Sequence, residues 1–204
     1  LKVPEAIWAH GSNKPLTATE ILSHILPNSP TADPENLQRM LRLLTTYNIF
    51  VEHLSDTTPV QRRYSLTEVG ETLVPDSDGL SYGDYIMQHH QDALVRSWPL
   101  VHMAVVDPVT EPFVRANGES AYWYYGKDEE MNELMQKAMA GFSVPFMREL
   151  LDGGYDGFER DVERLVDVGG SAGDCLKMIM QKFGNIKEGI NFDLPDVVAA
   201  GPPI

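Results

Sequence analysis

Apolar residues recur along this chain with two different periods. In TATEILSHIL, residues Ile21, Leu22, Ile25 and Leu26 fall at helical spacing. Thr17 stands before them and Glu20 three residues later, the spacing of a capping box, so a helix is predicted to begin there. PENLQRMLRLLTTYNIF keeps the same period and puts Leu37, Met40, Leu41 and Leu44 on one face. IFVEHL and RRYSL read as strands, and the intervening SDTTPVQ reads as a turn. The opening LKVPEAIWAH already reads as the middle of a helix.

Helix, helix and two strands joined by a loop make a winged-helix pattern, running to about Pro75. From Ser81 to Leu151 the chain is expected to be mostly helical, punctuated by Pro99, Pro108 and Pro112. Met131, Met135 and Met139 recur at intervals of four, with Phe142 on the next turn of the same face. From Arg164 the character changes. RLVDV is a buried-strand run, GGSAG a glycine turn, and DCLKMIMQKF a helix with Leu176, Ile179, Met180 and Phe183 on one side. GINFD closes a strand–helix–strand unit of a parallel sheet.

Composition narrows the function. With 204 residues and 43% hydrophobic content, the chain can build a real core. Its net charge is −14, which repels a phosphate backbone and argues against nucleic acid as the main partner. Four basic residues at the helix and wing where duplex would dock (Arg39, Arg42, Arg62 and Arg63) make a weak footprint beside Glu35. Cys175 is the single cysteine, so no internal disulfide forms, and a reducing, cytoplasmic compartment is expected. No apolar stretch approaches membrane-spanning length, so no membrane partner is expected.

The glycine turn carries the chemistry. Between strand and helix it lies at the carboxyl edge of the sheet, where ligands bind, and glycines let backbone approach a ligand closely. Asp193 follows Gly169 by 24 positions, near the spacing of about 20 at which an acidic residue accepts from ribose hydroxyls. The pattern is GGSAG rather than GxGxxG, and Asp174 opens the helix. A carboxylate there is unfavourable beside a pyrophosphate but acceptable beside S-adenosylmethionine, which carries a sulfonium cation and no phosphate. By itself such a turn is also compatible with a tight structural loop, and the methionine stripe with ordinary core packing.

LVDVGGSAG followed by INFDLPDVV resembles the plant small-molecule O-methyltransferases of the caffeic acid and flavonoid type, which use S-adenosylmethionine. The likeness spans nearly the whole chain and includes YSLTEVG, Ser97–Trp98, YGKD and MNELMQKAM. It implies a winged-helix dimerisation domain over residues 1–80, a helical acceptor-pocket region over 81–160, and the first part of a Rossmann-like cofactor domain over 161–204. A homodimer, a small aromatic acceptor and no metal are implied with it. Gly169 and Asp167 would lie along the cofactor, Asp193 would hold the ribose, Leu194 would pack on adenosine, and Ser143 would touch the amino-acid end. Met131, Met135, Met139, Phe142, His89 and His90 match acceptor-side positions, which turns the methionine stripe into a pocket wall.

The departures from that pattern are informative. The family usually has GGGTG where this chain has GGSAG. The caffeic acid enzymes carry a histidine at Phe142 and an asparagine at His90, so the pocket is rebuilt here. GGSAGDCLKMI resembles the branch that methylates the ring nitrogen of nicotinate, in which His89 or His90 would meet the substrate carboxylate. The family's catalytic histidine lies beyond FDLP and past Ile204, so no catalytic residue is assigned. Two strands alone would leave an uncovered apolar face, so the chain is expected to be a fragment without activity of its own. The alternatives are a non-catalytic winged-helix dimerisation or regulatory protein, and a nicotinamide-dependent dehydrogenase.

Overall fold

A computed structural model describes residues 1–200 and divides the chain into two compact units, Leu1–Gly83 and Asp84–Ile204. The first holds α1 (Val3–Ala9), α2 (Ala18–Ile25), α3 (Pro34–Thr46), the antiparallel pair β1 (Phe50–Leu54) and β2 (Arg62–Leu66), and α4 (Glu68–Glu71). The predicted capping box forms at α2. Thr17 Oγ1 accepts from the Glu20 backbone N–H at 3.1 Å, and Glu20 accepts from the Thr17 N–H at 2.7 Å. At α3, Asp33 accepts from Glu35 and Asn36 while Pro34 fills the first turn, where no N–H is needed.

Ile7, Ile21, Leu41 and Tyr64 are fully buried at the centre of this unit. The Tyr64 hydroxyl donates to Glu52 at 3.0 Å, and burial followed by that carboxylate pushes its pKa up to about 12. The core covers only part of the predicted α3 face. Leu37 and Leu41 are buried, whereas Met40 and Leu44 stand exposed beside Leu43 and Tyr47. The core takes only the 37/41 stripe, which leaves an apolar helix flank open. Leu26 is exposed as well, because it follows the last helical residue as the C-cap. The four arginines of this unit are engaged: Arg62 and Arg42 with Glu52, Arg63 with Glu20, and Arg39 with Asn36.

The second unit is helical through α5 (Tyr82–His89), α6 (Asp92–Ser97), α7 (Met103–Val106), α8 (Pro112–Asn117), α9 (Ala121–Gly126) and α10 (Glu129–Asp152). It closes with β3 (Arg164–Val168), α11 (Asp174–Lys182), β4 (Glu188–Phe192) and α12 (Pro195–Ala200). β3 and β4 pair in parallel, with Asp167 opposite Asn191. The predicted stripe of α11 is buried against Leu151 and Ile186 through Ile179 and Phe183, and Leu176 is fully buried. The opposite sheet face presents Val166, Val168, Ile190 and Phe192 outward; Val168 is 75% and Phe192 64% exposed. Among the described residues, no helix is long and apolar enough to cross a membrane.

Candidate cofactor and acceptor site

The glycine turn leaves β3 through two left-handed residues and enters α11 through a third. Gly169, Ser171 and Gly173 have φ of 77°, 53° and 87°. The Gly169 N–H donates to the Phe192 carbonyl and the Gly173 N–H to the Gly170 carbonyl, both at 2.8 Å, which folds the turn back on itself. Space above Gly169 is open: a Cβ there would meet nothing within 4 Å, so the glycine serves conformation. Gly170 is the reverse case. A side chain there would collide with Asn191 Oδ1 and the Asp167 carboxyl.

Asp193 stands at the exit of β4 with both carboxylate oxygens committed. Oδ2 accepts from the Ser171 N–H at 2.8 Å and Oδ1 from the Leu194 N–H at 2.7 Å. Asn191 reaches the same turn, its Nδ2 donating to the Ser171 carbonyl at 2.8 Å. Burial, then the neighbouring Asp193 charge, pushes the Asp167 carboxyl above the ordinary carboxylate value. Ser143 on α10 bonds the Cys175 thiol on α11; burial pushes that thiol up and the Ser143 bond partly opposes it. Ser143, Asp167, Gly169 and Asp193 are therefore gathered about one turn. Leu194 lies beside them with its side chain half exposed.

One residue before Ser143, Phe142 points the same helix at a different group. Its ring lies 5.6 Å from that of Tyr85, and Tyr85 lies 4.1 Å from the ring of His89. His89 Nδ1 is 2.9 Å from the Tyr85 carbonyl. A carbonyl only accepts, so Nδ1 carries the proton and Nε2 of the neutral ring keeps a free lone pair. His90 makes the equivalent bond to the Ile86 carbonyl but is exposed. Met131 and Met135, both half-buried, pack against the cluster of Ala93, Phe113 and Tyr125, and Met139 is half-buried. α10 thus joins the turn to an aromatic stack through two consecutive side chains.

Sequence reasoning missed Tyr85, Asn191 and Cys175. Tyr85 had a signal, lying one helical turn before His89. Asn191 had another: it is polar at an inward position of an alternating strand. Among the described residues, no group of three or more His, Cys, Asp or Glu is placed to hold a metal ion.

Residues 1–76 match the O-methyltransferase dimerisation domain and residues 98–204 the O-methyltransferase domain. The chain is 63% identical to nicotinate N-methyltransferase 1 of Arabidopsis thaliana, over 100% of this chain and 56% of that protein. It is 38% identical to a caffeic acid 3-O-methyltransferase of Ammi majus, over 89% of this chain and 49% of that one. In structure it is similar to CalO1, a methyltransferase of calicheamicin biosynthesis in its SAH-bound form. The TM-score is 0.74 and the identity 23%, over 98% of this chain and 55% of that one. The chain spans about half the length of these relatives. With a dimerisation domain followed by a methyltransferase domain, it belongs to the O-methyltransferase family.

Proposed function

We propose that this chain carries the acceptor pocket and much of the cofactor site of an S-adenosylmethionine-dependent methyltransferase that methylates the ring nitrogen of nicotinate. The observation that carries the reading is the turn itself. An open space over Gly169 is flanked by two carboxylates, Asp167 and Asp193, with Ser143 and Cys175 on the helices beside it. An acidic, phosphate-unfriendly cradle suits a cationic nucleoside. S-adenosylmethionine supplies, when bound, a methyl group on a positively charged sulfur. Asp193 and Leu194 would hold the adenosine, and Gly169, Asp167 and Ser143 the remainder. The finer fold reading belongs with this: a winged-helix first domain and a Rossmann-like second one.

Nicotinate is favoured by the 62–63% identity to the soybean and Arabidopsis enzymes of that name and by the rebuilt pocket. Tyr85 and Phe142 offer flat faces for a pyridine ring. His89, with Nδ1–H tied to a carbonyl, can donate to the carboxylate through Nε2 when the ring carries its second proton, as the imidazolium. A pyridine nitrogen already holds a lone pair, so this chain's residues need align and desolvate it without removing a proton. Alignment alone is worth about 7–11 kcal/mol at the extreme. Pairing through the first domain is supported by its family match and by the open flank of Met40, Leu43 and Tyr47. The engaged arginines and the charge of −14 support no nucleic-acid role. The single cysteine supports a cytoplasmic setting.

Calorimetric titration of the full-length polypeptide that carries this chain with S-adenosylhomocysteine, followed by a methyl-transfer assay with nicotinate and caffeate, tests the reading. Binding with transfer to nicotinate is expected. Absence of S-adenosylhomocysteine binding would remove it, and transfer to caffeate alone would overturn the acceptor.

A further inference from the structure

We infer that Asn191 is a positioning residue for the cofactor, acting as one half of a clamp that holds Ser171 in its left-handed conformation. The inference rests on the cofactor reading above. Ser171 occupies a φ of 53°, a region that L side chains reach only at a cost and that glycine reaches freely. Such a residue persists where its surroundings over-determine it. Here they do so from both sides of the same residue. The Ser171 N–H donates to Asp193 Oδ2 at 2.8 Å, and its carbonyl accepts from Asn191 Nδ2 at 2.8 Å. Both side chains come from the carboxyl end of β4, two residues apart, so one strand end fixes both peptide groups.

The other end of the Asn191 amide strengthens the case. Oδ1 is buried without a hydrogen-bond partner and lies where a Gly170 side chain would stand. A desolvated, unpaired acceptor is costly and uncommon. The reversed amide would set its oxygen against the Ser171 carbonyl, two acceptors facing each other, so the orientation is dictated by that bond. An apolar residue would fill this inward strand position without an orphan. The amide is retained for its donor, and the donor has one target, the strained peptide of the cofactor turn.

Loss of the donor frees the Ser171 carbonyl and lets the residue relax toward negative φ. Its N–H then leaves Asp193, whose carboxylate loses the orientation that would face the ribose. The effect reaches the cofactor through Ser171 and Asp193, not through contact with Asn191. A glycine at position 171 adopts the same φ unaided, so it should make the clamp dispensable.

Titration with S-adenosylhomocysteine of the wild-type protein, Asn191→Leu, Ser171→Gly and the double variant reads this directly, with thermal unfolding to confirm that each is folded. Asn191→Leu should weaken binding at least about tenfold, and the double variant should return to within about threefold of Ser171→Gly. Asn191→Asp, which keeps the volume and turns the donor into an acceptor, should lose at least as much and serves if the leucine variant does not fold. Retention of binding within about twofold in Asn191→Leu overturns the clamp, as does an equal loss in both backgrounds. Wild-type protein that fails to bind overturns the cofactor reading itself, which is a different result.

Discussion

The chain contains two small sheets of similar size and opposite character. β1–β2 buries Phe50, Tyr64 and Leu66 against three helices. Its polar groups are paired: Tyr64 with Glu52, and His53 Nε2 with Ser65 Oγ at 2.8 Å. Even the outer edge of β2 is covered. The Leu16 and Tyr64 backbones bond each other, and the Asn13 amide bonds both backbone groups of Leu66. β3–β4 covers one face with α11, so closely that a side chain at Gly189 would strike Met180 Sδ, and turns Val168 and Phe192 outward. Its turn holds three left-handed residues, an unpaired buried oxygen and a half-buried carboxyl of raised pKa. Left-handed residues occur beside the first sheet too, at Asn13 and Asn48, but there a paired surround accompanies them. At the second sheet they coincide with an orphan acceptor and a desolvated carboxyl where the ligand is proposed.

That contrast fails if a large deletion in the first sheet is mild. Tyr64→Ala removes a fully buried ring and should cost about 3–5 kcal/mol in denaturant unfolding. A loss below about 1 kcal/mol would mean that the first sheet is not the anchor of its unit. Asp193→Ala makes the reverse demand. It should weaken S-adenosylhomocysteine on the order of 100-fold, about 2.7 kcal/mol, with a smaller change in unfolding free energy. Equal losses in both would make Asp193 a structural residue first. In the acceptor half, His89→Ala should raise the KM for nicotinate about tenfold while His90→Ala leaves it within about twofold. The opposite order would move the carboxylate partner to the exposed ring.

Much of this was legible from residue order because the determinants are local. The Thr17–Glu20 box, the α11 stripe and both strands of each sheet come from neighbours within four residues, and each forms within a residue of its predicted bounds. The α3 face was half legible. Periodicity tells which residues share a face but not how much of that face the core covers, so the shared face of Leu37, Met40, Leu41 and Leu44 does not show that Met40 and Leu44 lie outside the core. At the site, glycine and aspartate spacing pointed to the turn. The commitment of Asp193 to the Ser171 N–H required the strand pairing to be known. Choosing between His89 and His90 needed the position of Tyr85 on the turn before, and the ring of Phe142 from a helix some fifty residues later.

The smallest expected effect lies at Asp167 and has a sign that depends on pH. Its carboxyl is held above the ordinary value of 3.8, first by burial and then by the Asp193 charge. The unfolded chain therefore gives up this proton at lower pH than the folded one. Below 3.8 both states are protonated and the group is neutral toward stability. As pH rises through the interval between 3.8 and the folded value, a stability cost develops, and it is complete above that interval. Asp167→Asn removes the cost. Thermal unfolding of the two proteins should coincide at the acid end, with the asparagine variant the more stable at neutral pH. Cofactor affinity should move the other way, because a cationic sulfonium favours the ionised carboxylate. S-adenosylmethionine binding to wild type should strengthen as pH rises through the same interval and stay flat in the variant, a difference on the order of a fewfold. A variant less stable than wild type at neutral pH would mean that Asp167 is a favourable structural charge, and the second sheet would then obey the same rules as the first.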